Sequence, residues 1–235
     1  MSFFTPMIIL LLVMVILTCM QLPAGIFSIF YHSAISKNSH KKADDLSLSF
    51  ILGAEFFNAL VWFSSYIIIN SILSAQSFPF IILYWVFATI FLCEAFIFFF
   101  LYYRKGHSTA LFISRRIATN YAAHCAHTKK RSDAFLIGSV SFLPELIFTM
   151  PLYIFTSLIL VHSLPALYAL IVIIAIIAIT IPLHCIRIAY LAGCNLANIE
   201  RIRTSIKPFI RFIIPLSFIT IAIIIIINLG ANYGF

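Results

Sequence analysis

Charge is scarce in this sequence. Lys, Arg, Asp and Glu make up 9% of 235 residues, and only seven of those residues are acidic. Soluble domains carry roughly 25% charged residues, so this composition cannot clothe a water-facing surface. The five cysteines (Cys19, Cys93, Cys125, Cys185, Cys194) include no CxxC pair. That spacing argues against a disulfide framework, and most of them read as small buried apolar residues. No nucleophile motif, Gly-rich phosphate loop, HExxH or glycosidase-like carboxylate pair occurs, so enzyme chemistry has no anchor and no cofactor is expected. No basic segment precedes the first apolar run, which argues against a cleaved signal peptide.

Apolar residues fill the space that charge leaves, at 63% of the chain with a mean hydropathy of +1.11. Six runs reach the roughly 20 residues needed to cross hydrocarbon: 7–31, 48–73, 80–103, 135–161, 166–186 and 209–229. Backbone groups find no water in lipid, so the runs must be helices. The expected fold is therefore all-α: a polytopic membrane protein, one transmembrane domain over 1–235 with no room for a separate soluble domain. Tyr31, Tyr84, Trp85, Tyr102, Tyr103, Tyr168 and Tyr233 fall near run ends, as interfacial aromatics do.

The fifteen Lys and Arg residues are segregated. All lie in 32–47, 103–134 or 187–211, whereas 1–6, 74–79, 162–165 and 230–235 carry none. Basic residues stay cytoplasmic during insertion. The expected topology thus places both termini outside a cytoplasmic membrane, with six crossings between them. The net charge of +8 flanks apolar spans and marks topology rather than nucleic-acid binding. Within 103–134, apolar Leu111, Phe112, Ile113, Ile117 and Tyr121 alternate with Arg115, Arg116 and Lys129 to Arg131. This pattern reads as an amphipathic helix on anionic headgroups, against the plainer alternative of a solvated linker.

Three of the seven acidic residues, Glu55, Glu94 and Glu145, fall inside spans. Each lies about eight to ten residues from the basic end, or about 12–15 Å at 1.5 Å per residue. An intramembrane charge costs on the order of 3 kcal/mol or more, so such groups face the bundle interior or water. At helical spacing Glu55 aligns with Asn58, Trp62 and Ser65, and Glu145 with Ser141 and Thr149; Glu94 has Cys93 beside it. Meeting at one depth, the three would form a proton or cation relay. The bland alternative is a neutral carboxyl that merely ties helices together.

Prolines are expected to interrupt spans one, four, five and six at Pro23, Pro144 with Pro151, Pro182 and Pro215, each freeing a carbonyl four residues earlier. Leu22-Pro23-Ala24-Gly25-Ile26-Phe27 echoes Leu143-Pro144-Glu145-Leu146-Ile147-Phe148. Under the expected topology these two spans run in opposite directions, which suggests a three-plus-three inverted repeat with a site beside the breaks. His124-Cys125-x-His127 has metal-compatible side chains, but no nearby ligand completes a site, so the metal question stays open. His184 stands where it could shuttle protons at the basic mouth.

The chain resembles the lysine-exporter (LysE) superfamily, which includes amino-acid exporters, metal-ion exporters and thiol-disulfide carriers related to DsbD. The layout matches over the whole length. Pro23-Ala24-Gly25 resembles the Pro-Gly element of that family's first span, and Lys130-Arg131-Ser132-Asp133-Ala134-Phe135-Leu136-Ile137-Gly138 resembles the approach to its fourth. Where the exporters commonly show Asn-Pro-Lys, this chain has Leu143-Pro144-Glu145, which leans toward a cationic substrate. Span four has no cysteine, so the thiol-carrier branch is not expected. The resemblance implies a secondary transporter exporting a small cationic or zwitterionic solute, and the carboxylates inside the spans point to proton coupling through Glu145, Glu55 and Glu94. The rival reading is a non-transporting membrane scaffold. Neither decides whether the chain forms homo-oligomers.

Overall fold

The computed structural model describes residues 4–35, 40–74, 80–102, 124, 128, 130–193 and 196–233. Long apolar helices dominate, and no strand occurs among the described residues. Helix α1 runs Phe4–Ile35, α2 His40–Ser74 and α3 Phe80–Phe96, the last passing into a π-helical stretch Ile97–Tyr102. Then come α4 (Arg131–Val140), a 3-10 turn Leu143–Glu145, α5 (Leu146–Ser163), a second 3-10 turn Pro165–Leu167, α6 (Tyr168–Leu191) and α7 (Leu196–Tyr233). Six stretches are long and apolar enough to cross a membrane: Thr5–Pro23, Lys41–Leu73, Ile81–Phe100, Leu146–Ser163, Pro165–Leu191 and Pro208–Ala231. They fit a multi-pass membrane protein. Most of the expected amphipathic connection over 103–134 lies outside the described residues.

The fourth expected span, 135–161, is divided in two. Pro144 has no N–H to offer the Val140 carbonyl, and its ring disfavours a helical residue before it. Helix α4 accordingly stops at Val140, and the 3-10 turn carries the chain into α5. The other expected interruptions do not occur: α1 runs unbroken through Pro23, α5 through Pro151, α6 through Pro182 and α7 through Pro215. One missing hydrogen bond is tolerated where neighbouring helices hold the rest of the turn. Helix α6 ends at Leu191, and just beyond it Gly193 takes a φ of 91°, open to glycine, with its N–H bonded to the Tyr190 carbonyl.

Helices α1 and α2 are central. The first packs against α2, α5, α6 and α7, the second against α1, α4, α5 and α6. Helix α3 packs chiefly on α7, with a smaller seam to α5. The α2–α4 approach is set by glycine. A Cβ on Gly53 would overlap the Phe135 carbonyl oxygen, and one on Gly138 would overlap that of Phe50. With both absent the backbones close, and the Ser139 hydroxyl donates to the Gly53 carbonyl at 3.1 Å. Small residues permit such packing where lipid supplies no hydrophobic drive. The α3 seam is built of rings instead. Phe91 lies 5.3 Å from Phe155 and 5.9 Å from Phe218, and Phe98 lies 5.2 Å from Phe148 and 5.8 Å from Phe218.

Candidate functional site

Polar groups are strung along one face of α2. At its basic end Arg187 Nε donates to Asp44 Oδ1 and Arg131 pairs with Asp45, both at 2.5 Å. These contacts tie α2 near its start to α6 through Arg187 and to the first turn of α4 through Arg131. About three turns deeper, Glu55 Oε1 accepts a hydrogen bond from the Thr180 hydroxyl at 2.8 Å and lies 3.2 Å from His184 Nε2. Thr180 and His184 stand four residues apart on α6, so both reach one carboxylate. This cluster is only partly buried: the His184 and Glu55 side chains are 30% and 22% exposed, so their attraction is softened by solvent.

One turn further, α1, α2 and α5 meet in a closed knot. Gln21 Nε2 donates to Asn58 Oδ1 at 2.8 Å, and Asn58 Nδ2 donates back to Gln21 Oε1 at 3.3 Å and to the Ala54 carbonyl at 3.0 Å. The Tyr153 hydroxyl donates to the same Asn58 oxygen. All three side chains are buried. The column continues through Trp62, whose ring meets Tyr153 edge-on at 5.1 Å and whose carbonyl accepts from the Tyr168 hydroxyl at 3.3 Å. Ser157 Oγ lies 3.0 Å from that hydroxyl, and Tyr66 lies ring to ring with Tyr168 at 4.8 Å. From Asp44 to Tyr66 the column rises about 33 Å at 1.5 Å per residue, comparable with the thickness of hydrocarbon in a bilayer.

Glu145 closes the 3-10 turn before α5. Its Oε2 is buried without a hydrogen-bond partner, and Tyr153 follows it by two helical turns along the chain. Thr149 donates to the Glu145 backbone carbonyl at 3.2 Å and Ser141 to that of Gly138 at 2.8 Å, so both hydroxyls serve the broken backbone. Pro144 supplies the break itself. On α1, half-buried Pro23 follows Gln21 by two residues, and Gly25 lets Leu183 of α6 pack where a Cβ would overlap its methyl groups.

The three carboxylates expected to meet in one chamber have separate surroundings. Glu55 is held by α6, Glu145 sits in the 3-10 turn before α5, and Glu94 lies on α3 against a groove whose lining includes neither of the others. Equal depth does not make helices face one another, and α3 stands at the rim of the bundle. Sequence reasoning passed over Gln21, Thr180 and Tyr153. A signal existed: Gln21 is an amide in an otherwise apolar run, and Tyr153 continues the Glu145–Thr149 face at the same four-residue spacing. His124 is exposed, while Cys125 and His127 lie outside the described residues. Among the described residues no three His, Cys, Asp or Glu side chains gather to hold a metal.

No family model matches this chain, and neither a curated protein nor a solved structure matches it.

Proposed function

We propose that the protein is a secondary membrane transporter whose path follows the polar face of α2. One observation carries the reading: a polar column crosses the bundle interior and reaches from the charged rim to Tyr66. Polar groups inside a membrane are costly and mark substrate or proton pathways. The Gln21–Asn58–Tyr153 knot is closed to solvent, as the occluded midpoint of an alternating-access cycle would be. Glu55 with His184 forms the basic-side proton station, and Glu145, buried at the break before α5, a second one. Glu94 has no part in the path. With the basic connections cytoplasmic, both termini lie outside and the Glu55 station opens toward the cell interior. The inverted repeat is part of this reading, carried by the opposed L-P-x-x-I-F segments at Pro23 and Pro144. Export of a small cationic or zwitterionic solute rests on the LysE resemblance alone.

A second reading is favoured by the same knot. Its amide and hydroxyl groups bond to one another, as they would in a scaffold whose polar residues only lock helices. Proteoliposomes with an entrapped pH dye separate the two readings, with lysine, arginine or manganese added outside. Transport predicts proton movement dependent on one of these solutes and abolished in Glu55→Gln while the variant stays folded. The scaffold predicts no solute-dependent signal, with Asn58→Leu lowering the melting temperature through roughly 1–2 kcal/mol of lost interhelical hydrogen bonding.

A further inference from the structure

The groove beside Glu94 is independent of the α2 column. It has a volume of about 610 Å³ and is lined by Ile82, Trp85, Val86, Ile90, Ile147 and Phe148 together with Thr89, Cys93, Glu94 and Ile97. Its size falls within the roughly 300–1,000 Å³ typical of small-molecule sites. Trp85, Val86, Ile82 and Ile147 are exposed, so the groove opens on the outer flank of the bundle. Within this oily lining sits one carboxylic acid. Glu94 is only 5% exposed, and its Oε2 is buried with no hydrogen-bond partner. The regular α-helix also gives way to π-helical turns just beyond it, at Ile97–Tyr102; such irregularities frequently accompany functional sites.

A buried carboxyl with one unpartnered oxygen is stabilised by a ligand that brings a donor, most of all a cationic one. Trp85 adds a ring face that attracts cations. The remaining lining accepts a hydrocarbon body. Depth narrows the ligand further. Glu94 stands eight residues before Tyr102, about 12 Å from the basic end of α3. An aminophospholipid would have to drag its phosphate that far into hydrocarbon, whereas a simple long-chain amine would not. We propose that this groove binds a membrane-partitioned primary amine with a single alkyl chain, its ammonium group on the Glu94 carboxylate. The proposal rests on the membrane reading above but not on transport.

Cys93, exposed in the same groove, is a native reporter. The full-length protein in phosphatidylcholine nanodiscs is treated with a lipid-soluble maleimide, and Cys93 alkylation is followed by mass spectrometry. Dodecylamine should protect Cys93 at about tenfold lower concentration than dodecanol, the factor expected of one charge-assisted hydrogen bond. In Glu94→Gln the amine's advantage should vanish while the alcohol's weak protection remains. Equal protection by amine and alcohol in the wild type overturns the proposal. So does protection by phosphatidylethanolamine in place of phosphatidylcholine that matches the amine's. A Cys93–Cys93 crosslink under mild oxidation that dodecylamine cannot prevent would assign the groove to a second copy, which also overturns it. Should Glu94→Gln fail to fold, dicyclohexylcarbodiimide labelling of Glu94 in the wild type replaces it: blocking by dodecylamine supports the site, and labelling indifferent to the amine refutes it. A loss of solute-driven proton flux leaves these outcomes untouched, so the two readings fail separately.

Discussion

Helices α2 and α3 resemble each other as strings of letters and differ in the molecule. Both are long and apolar, and each has an acidic residue at similar depth. Yet α2 lies at the centre with Glu55 held by Thr180 and His184, while α3 lies at the rim with a Glu94 oxygen unpartnered. Both also expose large apolar side chains, Phe56 and Phe63 on α2 as Trp85 and Phe96 on α3. The lesson concerns solvent. Lipid is as apolar as leucine, so hydrophobicity does not distinguish interior from surface in such a bundle. Small and polar residues do: Ala54, Asn58 and Ser65 are buried on one face of α2, and Gly53 is buried against α4.

The sharpest way to break this comparison is at the glycine seam. Gly138→Leu drives a side chain into the Phe50 carbonyl, a backbone atom that cannot rotate away. Overpacking of this kind commonly costs 1–3 kcal/mol, and here about 3 kcal/mol or more is expected because only a backbone shift relieves it. Thermal unfolding in detergent should show the loss, with α4 separating from α2. A variant that melts like the wild type would mean that the two helices are not held in close contact. Phe91→Ala probes the other seam. It removes the ring between Phe155 and Phe218. Because lipid contributes little transfer energy, the expected cost is the lost packing alone, about 2 kcal/mol. An effect exceeding that of Gly138→Leu would reverse the ranking of the seams.

How far the sequence discloses this arrangement depends on the kind of signal. Length and hydropathy reveal six helices long and apolar enough to cross a membrane, because each run must satisfy that requirement by itself. The polar stripe of α2 was equally readable, since Glu55, Asn58, Trp62 and Ser65 recur at the period of a helix. Pairings between helices were not. Nothing local to Glu55 announces Thr180, which lies 125 positions away, and nothing local to Gly53 announces Phe135. The prolines misled for a related reason. Whether a proline breaks its helix depends on support from neighbours, and of the prolines expected to interrupt spans only Pro144 lies in a 3-10 connection.

The smallest expected effects belong to the two carboxylates themselves, and they sharpen the comparison most finely. Glu55→Gln retains a hydrogen-bond acceptor for Thr180 but removes the negative charge facing His184. Because both groups are part-exposed, the stability cost should stay below about 1 kcal/mol. Glu94→Gln replaces an unpartnered acid with an amide of nearly the same shape, and its effect on melting should lie within about 0.5 kcal/mol of zero. Parallel melting curves of the two variants in one detergent give the difference directly. If Glu94→Gln proved the more damaging, the acid on α3 would have to be held by groups of the protein as firmly as the one on α2. The groove would then be a structural contact, and the contrast between centre and rim would fail where it is most specific.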